Sequence, residues 1–417
     1  MWPSPSLPTR TWCASTAALA SLARVGATLA VLLVALTGCS STNVQTGGYA
    51  AADGRAFWLR PKYPGQLPGN AVSLVAEPEV ALESEDRTHT LSLRPFYRLD
   101  PIDERRSHAD VRRADYRLSL DHLQLGAGVG AVTWGVLESY RPTDVVNQID
   151  FVEAPDGSAK LGQPYAEAAW VGESAALRLY YFPYFRERTF PGLRGRLRFP
   201  VTIDVEDPIY EASLGPWQPS GAARFSLSMG DFDLGVNLFT GLSREPRFIV
   251  ELTSGRVAPR YDRMHQGSVD VQWTLGPFVV KGEGFVRAWT DDLRVFGGGG
   301  AGVDYTFFKI AGEADLSFAG EFLFDTRPVQ AAPTFFEHDA FAGVRLALND
   351  TASTELLAGA ITDVVDLSTF TRVTIGRRFG DHWRLSLGTN LFVTAPGKLE
   401  GSFRRDNHAH VRLAYFF

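Results

Sequence analysis

Read backwards in steps of two from Phe417, the C-terminal stretch places Phe417, Tyr415, Leu413, Val411 and Ala409 on one side, and Arg412, His410 and His408 on the other. Period-two alternation marks a β-strand, whose successive side chains point to opposite faces. One face here is oily and the other wet, and the strand stops on Tyr415-Phe416-Phe417. The termini of water-soluble domains are usually frayed and solvated, a poor place for three aromatics. A strand crossing a bilayer needs apolar side chains toward lipid, polar ones toward a wet lumen and aromatics at the interfaces.

The same pattern recurs along the chain. Leu316, Phe318 and Phe322 alternate with Asp315, Ser317 and Glu321; Trp383, Leu385, Leu387 and Leu391 alternate with Arg384, Ser386, Gly388 and Asn390; Val269, Val271 and Trp273 alternate with Asp270 and Gln272. These segments run to ten or more residues, which suits a tilted bilayer crossing better than the five or six of a soluble strand. Tight turns are expected at Gly380-Asp381, Asn349-Asp350, Phe307-Phe308, Gly276-Pro277, Gly230-Asp231 and Gly172-Glu173, with longer polar connections between them. Short turns on one side and long loops on the other are the habit of outer-membrane barrels. Sixteen strands can be counted back to His89, and Val72–Leu82 reads as a seventeenth. An odd number would put the two chain ends on opposite sides. Either residues 54–60 supply an eighteenth strand, or the N-terminal stretch threads the lumen. The fold class is therefore all-β: a transmembrane antiparallel β-barrel of sixteen to eighteen strands, even in number, with an inward-folding loop. The closing strand resembles that of bacterial outer-membrane barrels.

Residues 1–38 carry Arg10 and Arg24, no acid, and an apolar run from Val25 to Leu36 that is too short to span a bilayer. They read as a signal peptide. Leu36-Thr37-Gly38-Cys39-Ser40 resembles the lipobox of bacterial lipoproteins, which implies lipidation of Cys39. The expected organisation is thus a signal at 1–38, a periplasmic linker or lumen-threading segment at 39–70, and a barrel over 71–417. Cleavage would leave Cys39 as the sole cysteine, since Cys13 lies in the leader. That excludes a disulfide framework and a cysteine metal site. It would also make the net charge of −6 two units more negative, which argues against a nucleic-acid partner.

The inner faces are expected to carry both signs: Lys281, Glu283, Arg287, Glu313, Asp315, Arg345, Arg372, Arg378, Arg384, His410 and Arg412. Charge in a wet lumen either tunes selectivity or ties neighbouring strands together. The arginines toward the C-terminus lean to anions. Gly126, Gly128 and Gly130 leave one inner face almost without volume, room for something else to approach. The segment after them, Trp134 to Asp150, is expected to fold inward and constrict the lumen, with Pro142 opening a short helix. Here the chain resembles an uncharacterised outer-membrane porin-like family related in style to polysaccharide-export barrels. Its members carry Trp-Gly followed by spaced Arg, Asp and Asn, matched by Trp134, Gly135, Arg141, Asp144 and Asn147; Gln148 stands where most members have proline. The resemblance covers roughly 70–320 and implies transport without an agreed substrate.

No catalytic residue, metal or cofactor is expected. His122 beside Asp121 and His382 after Asp381 fall in predicted turns, and His408 with His410 reads as a solvated lumen pair for which no third metal ligand is evident. No Gly-x-Ser-x-Gly or His-Glu-x-x-His motif occurs. Expected partners are outer-membrane lipids, the barrel assembly machinery and a small polar or amphiphilic solute. A homotrimer is a habit of porins that the outward faces neither support nor oppose. A partner-binding lipoprotein with a plugged lumen is the alternative, and a barrel hydrolase acting on lipid the remoter one.

Overall fold

The computed structural model describes residues 42–251, 255–290, 294–395 and 400–417. Cys39 and the proposed signal lie outside them. In chain order the strands are β1 (Thr42–Phe57), β2 (Ala71–Ser84), β3 (His89–Leu99), β4 (His108–Leu120), β5 (Leu123–Gly130), β6 (Gln163–Val171), β7 (Ala175–Phe182), β8 (Ile209–Tyr210), β9 (Ser220–Met229), β10 (Phe232–Leu242), β11 (Arg247–Glu251), β12 (Arg256–Tyr261), β13 (Arg263–Leu275), β14 (Phe278–Trp289), β15 (Val295–Ala311), β16 (Ala314–Asp325), β17 (His338–Ala347), β18 (Glu355–Asp363), β19 (Thr369–Phe379), β20 (Trp383–Val393) and β21 (His408–Phe416). Three of them, β8, β11 and β12, form a small separate sheet in the long connections. The other eighteen form one antiparallel sheet, each pairing with its sequence neighbour, and β21 closes the ring on β1. Closure removes the unpaired strand edges that hydrocarbon cannot satisfy.

The eighteenth strand is β1, so the expectation of a linker or lumen-threading segment at 39–70 is corrected: from Thr42, the first described residue, the chain is barrel strand, and among the described residues of that span only 58–70 is a connection. The physical reason is local. Beyond Val44, the outward side of β1 is made of Thr46, Gly48, Ala50, Ala52, Gly54 and Ala56, so the oily half of the alternation is nearly blank. The neighbouring strand supplies the cover: a Cβ on Gly54 would stand 2.9 Å from Val411 Cγ1.

Elsewhere the faces alternate as expected. Trp170, Trp273 and Trp383 stand outward beside short turns, about half exposed, as an interfacial aromatic girdle requires. One turn is misplaced in the sequence reading. At Phe307-Phe308 the strand continues through a register shift to Ala311, and the chain reverses at Gly312-Glu313, where Gly312 supplies φ +65°.

Candidate functional site

Segment 131–162, between β5 and β6, leaves the wall and crosses the lumen. It is fastened on one side by Arg98 of β3 to Glu153 (2.7 Å) and by Arg112 of β4 to Asp150 (2.8 Å). Across the lumen it is held by β14 and β16, flanking β15, which lies nine strands from β3 around a ring of eighteen. There two carboxylates accept the donors of a chain with no sheet of its own. Glu283 takes the amides of Val136 (2.5 Å), Leu137 (2.9 Å) and Thr143 (3.1 Å) and the Thr143 hydroxyl (2.7 Å). Glu321 takes the amides of Glu138 (2.7 Å) and Ser139 (3.0 Å). The segment is therefore a strap across the diameter. Gly135, at φ +90°, is where it turns over Glu283: a Cβ there would stand 2.5 Å from the carboxylate.

The strap divides the lumen unequally. Toward β6–β14 the space is packed solid with Trp134, Val145, Val146, Tyr165, Phe182, Phe239 and Met264. Arg244 lies between the rings of Phe185 (4.8 Å) and Phe239 (5.2 Å) and donates to the Val146 carbonyl. Over the long-loop end, Phe57, Phe151, Phe190, Phe199 and Phe403 form a second apolar cluster. Burial alone would raise the Glu245 carboxyl in this region, but the Arg327 and Arg287 guanidiniums overcome it and hold it at about 2. Toward β15–β21 a cavity of about 860 Å³ remains, lined from Asp363 and Thr394 near the long-loop rim down to Arg345, Ser317 and Thr306.

The expected lumen residues divide accordingly. Lys281, Glu283 and Arg287 do face inward, but each is buried and committed: Lys281 to Glu138 (2.7 Å) and Asp304 (2.5 Å), Glu283 to the strap, Arg287 to Glu245 and Gln266. They hold the filling in place and do not line a path. Glu313 is corrected: it sits exposed in the turn, paired with Lys309, because the reversal falls there and not at Phe307. Asp315 caps that turn, accepting from the Lys309 amide (2.9 Å) and Asn349 (2.8 Å). Arg345, Arg372, Arg378, Arg384, His410 and Arg412 hold inward register positions on β17, β19, β20 and β21. Most are compensated: Arg345 (3.3 Å) and Arg384 (2.5 Å) share Glu355, Arg372 meets Asp156 of the strap (2.7 Å), and Arg412 approaches Asp53 (3.5 Å).

Of the four expected constriction residues, Arg141 and Asp144 line the cavity. Trp134 is 2% exposed and packs the solid side. Asn147 braces the strap's own ends through the Val132 amide (2.9 Å) and the Leu161 carbonyl (3.4 Å). Burial raises the Asp144 carboxyl against the pull of Lys160, 3.5 Å away. The helix expected after Pro142 is absent; a single turn forms, because the Thr143 amide is taken by Glu283. His408 is not solvated: it is 2% exposed, lies 4.8 Å from the Phe57 ring and contacts the Asp406 carbonyl.

Sequence reading missed the anchoring roles of Glu321, Asp150 and Glu153. It also missed a row of lumen-facing apolar residues, Phe341, Ile361, Phe370 and Phe392. The signal for the row was present. Phe370 shares parity with Arg372, and Phe392 with Asn390, an oily residue on the wet side of each strand.

No family model matches the chain, and no curated protein is recognisably similar to it in sequence. Among solved structures, Wzi of Escherichia coli, described as a carbohydrate-binding β-barrel involved in group 1 capsule assembly, is 11% identical with a TM-score of 0.52, covering 88% of this chain and 84% of its own. OccAB1 of Acinetobacter baumannii is 8% identical with a TM-score of 0.52, covering 91% and 96%. With eighteen strands closed edge to edge, an apolar exterior and these two likenesses, the fold is that of the outer-membrane β-barrels.

Proposed function

We propose that the protein is a porin-like barrel of the bacterial outer membrane, lipid-anchored at Cys39, that passes polar or amphiphilic solutes and performs no chemistry on them. The observation that carries this reading is the unfilled lumen along β15–β21, whose lining runs from Asp363 by one rim to Thr306 toward the other and includes half-exposed Arg345 and Arg372. A lumen meant only to be filled would not leave a cavity along one wall while burying a hydrophobic cluster against the other. The absence of catalysis is supported by the histidines. His122 and His382 contact main-chain carbonyls in the short turns, and His408 is buried against another.

A barrel that binds a partner without conducting is the second reading, and the phenylalanine cluster over the long-loop end favours it. Single-channel recording in planar bilayers separates the two. The channel reading expects a steady open current from the purified protein; a silent, correctly closed barrel would favour the plugged alternative.

A further inference from the structure

The cavity has a feature that a simple aqueous pore does not need. Phe341 pairs with Ile361, Ile361 with Phe370, and Phe370 with Phe392, so four apolar side chains form one unbroken row across β17–β20. All four line the cavity and all are half-buried. Barrel lumens are usually polar, and apolar area left facing water is unfavourable in proportion to its size. One step below the row stand Gly343 and Gly359, paired with each other, with Arg372 level with them. The Phe341 ring lies across both glycines, where added Cβ atoms would be 2.8 and 2.9 Å from it. The result is a flat apolar shelf. Across the cavity, Tyr140 stacks on Phe336 with ring centroids 4.3 Å apart.

The charges around the shelf are unevenly committed. On the acidic side, Glu138 and Asp304 are held by Lys281, Asp156 by Arg372 and Asp144 by Lys160, while Asp339 is buried and not free. Asp363 accepts the amides of Val365 and Asp366. On the basic side, the one ion pair of Arg345 among the described residues is with Glu355, at 3.3 Å, and that carboxylate lies closer to Arg384. Arg141, exposed on the strap, contacts the Leu137 carbonyl and, although its charge is felt by Asp144, makes no ion pair within 4 Å among the described residues. The unspent hydrogen-bonding capacity is therefore cationic. Arg372 and Arg345 lie two and four residues along their strands from the row, roughly 7 and 13 Å.

We propose that this cavity selects an anion with an apolar tail, a small aryl- or alkyl-bearing carboxylate. Its tail lies on the Phe341–Phe392 shelf and its carboxylate meets Arg345 and Arg141. The inference rests on the reading that the lumen admits solutes, and it deepens that reading by naming their class.

Calorimetric titration of the protein in lipid nanodiscs, with empty discs as the control, tests it using phenylbutyrate, phenylbutylamine and glutarate. Phenylbutyrate is expected to bind about tenfold tighter than either of the others, the factor that one good contact supplies. Phe370→Ser and Phe341→Ser should each weaken it by about tenfold, and Arg345→Gln should bring the acid and the amine to near parity. If the phenylalanine variants fail to close as barrels, the Arg345→Gln result decides alone. Binding of the amine as tight as that of the acid, or of glutarate as tight as phenylbutyrate, overturns the proposal. A conducting protein that binds none of the three overturns it and leaves the channel standing. A silent one that binds phenylbutyrate overturns the channel and leaves the site.

Discussion

Two strands of this barrel turn a nearly bare glycine face to the lumen, and they use it in opposite ways. On β5, Gly126 and Gly130 are covered by the next strand: Cβ atoms added there would come within 3.3 Å of the Glu167 carboxylate and 3.2 Å of the Tyr165 ring. Tyr165 donates to Asp115 (2.8 Å) and Glu167 pairs with Arg178 (2.7 Å), so the space is spent on a local polar network. On β15, Gly298 and Gly302 are likewise met by their register partners, Phe285 of β14 and Glu321 of β16, but Gly300 is also approached by a side chain from farther away. A Cβ on Gly300 would be 2.7 Å from Leu137, carried across the lumen on the strap, and one on Gly302 would be 2.6 Å from Glu321, which holds it. A glycine run thus announces room without naming the tenant. The tenant is whatever the opposite wall can deliver and hydrogen-bond.

The contrast can be broken at several points. Removing the strap's main anchor should have the largest effect: Glu283→Ala strands three amides and a hydroxyl in a buried site, at a cost of about 3 kcal/mol or more. Limited proteolysis should then cut within 131–162 while the barrel keeps its heat-modifiable mobility on gels, and the conductance should rise. Gly128→Ala strikes the other glycine strand through the backbone. At φ +148° its Cβ would lie 2.2 Å from the Ala114 carbonyl oxygen, and a loss of about 2 kcal/mol is expected, seen as poor refolding without release of the strap.

Gly300→Ala meets movable side chains, Leu323 at 2.5 Å and Leu137 at 2.7 Å. It should cost about 1–2 kcal/mol as overpacking and loosen the strap selectively, so equal proteolysis of wild type and variant would count against the tenancy argument. Glu245 gives a pH test on the packed side. Its carboxyl is held at about 2, below its ordinary value. Its stabilisation is therefore complete above the unfolded carboxylate range and is lost as pH falls toward 2, on the order of 1 to 3 kcal/mol. Thermal unfolding should weaken over that window in the wild type and less in Glu245→Gln. The smallest effect belongs to Asp156→Asn, which removes the half-exposed pair with Arg372; about 0.5 kcal/mol is expected, with strap proteolysis nearly unchanged.

How far the molecule could be read in advance depended on whether a residue's role was set by its own strand. Trp273, Trp383 and Arg384 were placed on the correct face because alternation is a property of one strand and its pleat. β1 escaped because its outward residues are too small to show the alternation, and Glu313 was misplaced because a turn among Phe307, Phe308 and Gly312 depends on a register shift with β16. The inward folding of 131–162 was legible from Trp134, Gly135 and the crowded polar residues after them. Its fastening was not, since Glu283 and Glu321 lie more than 130 residues further on and look, in the sequence, like any other lumen charge.

The sequence by itself determined the closed barrel, because period two, chain length and turn chemistry are local and every strand repeats the same instruction to bury one face in lipid. Only the tertiary structure decided what the lumen contains. Which glycine strand receives the strap and whether Arg372 is neutralised depend on residues far apart in the chain, brought together only when β21 closes the ring on β1, while the row of four apolar residues depends on the mutual registers of three successive hairpins.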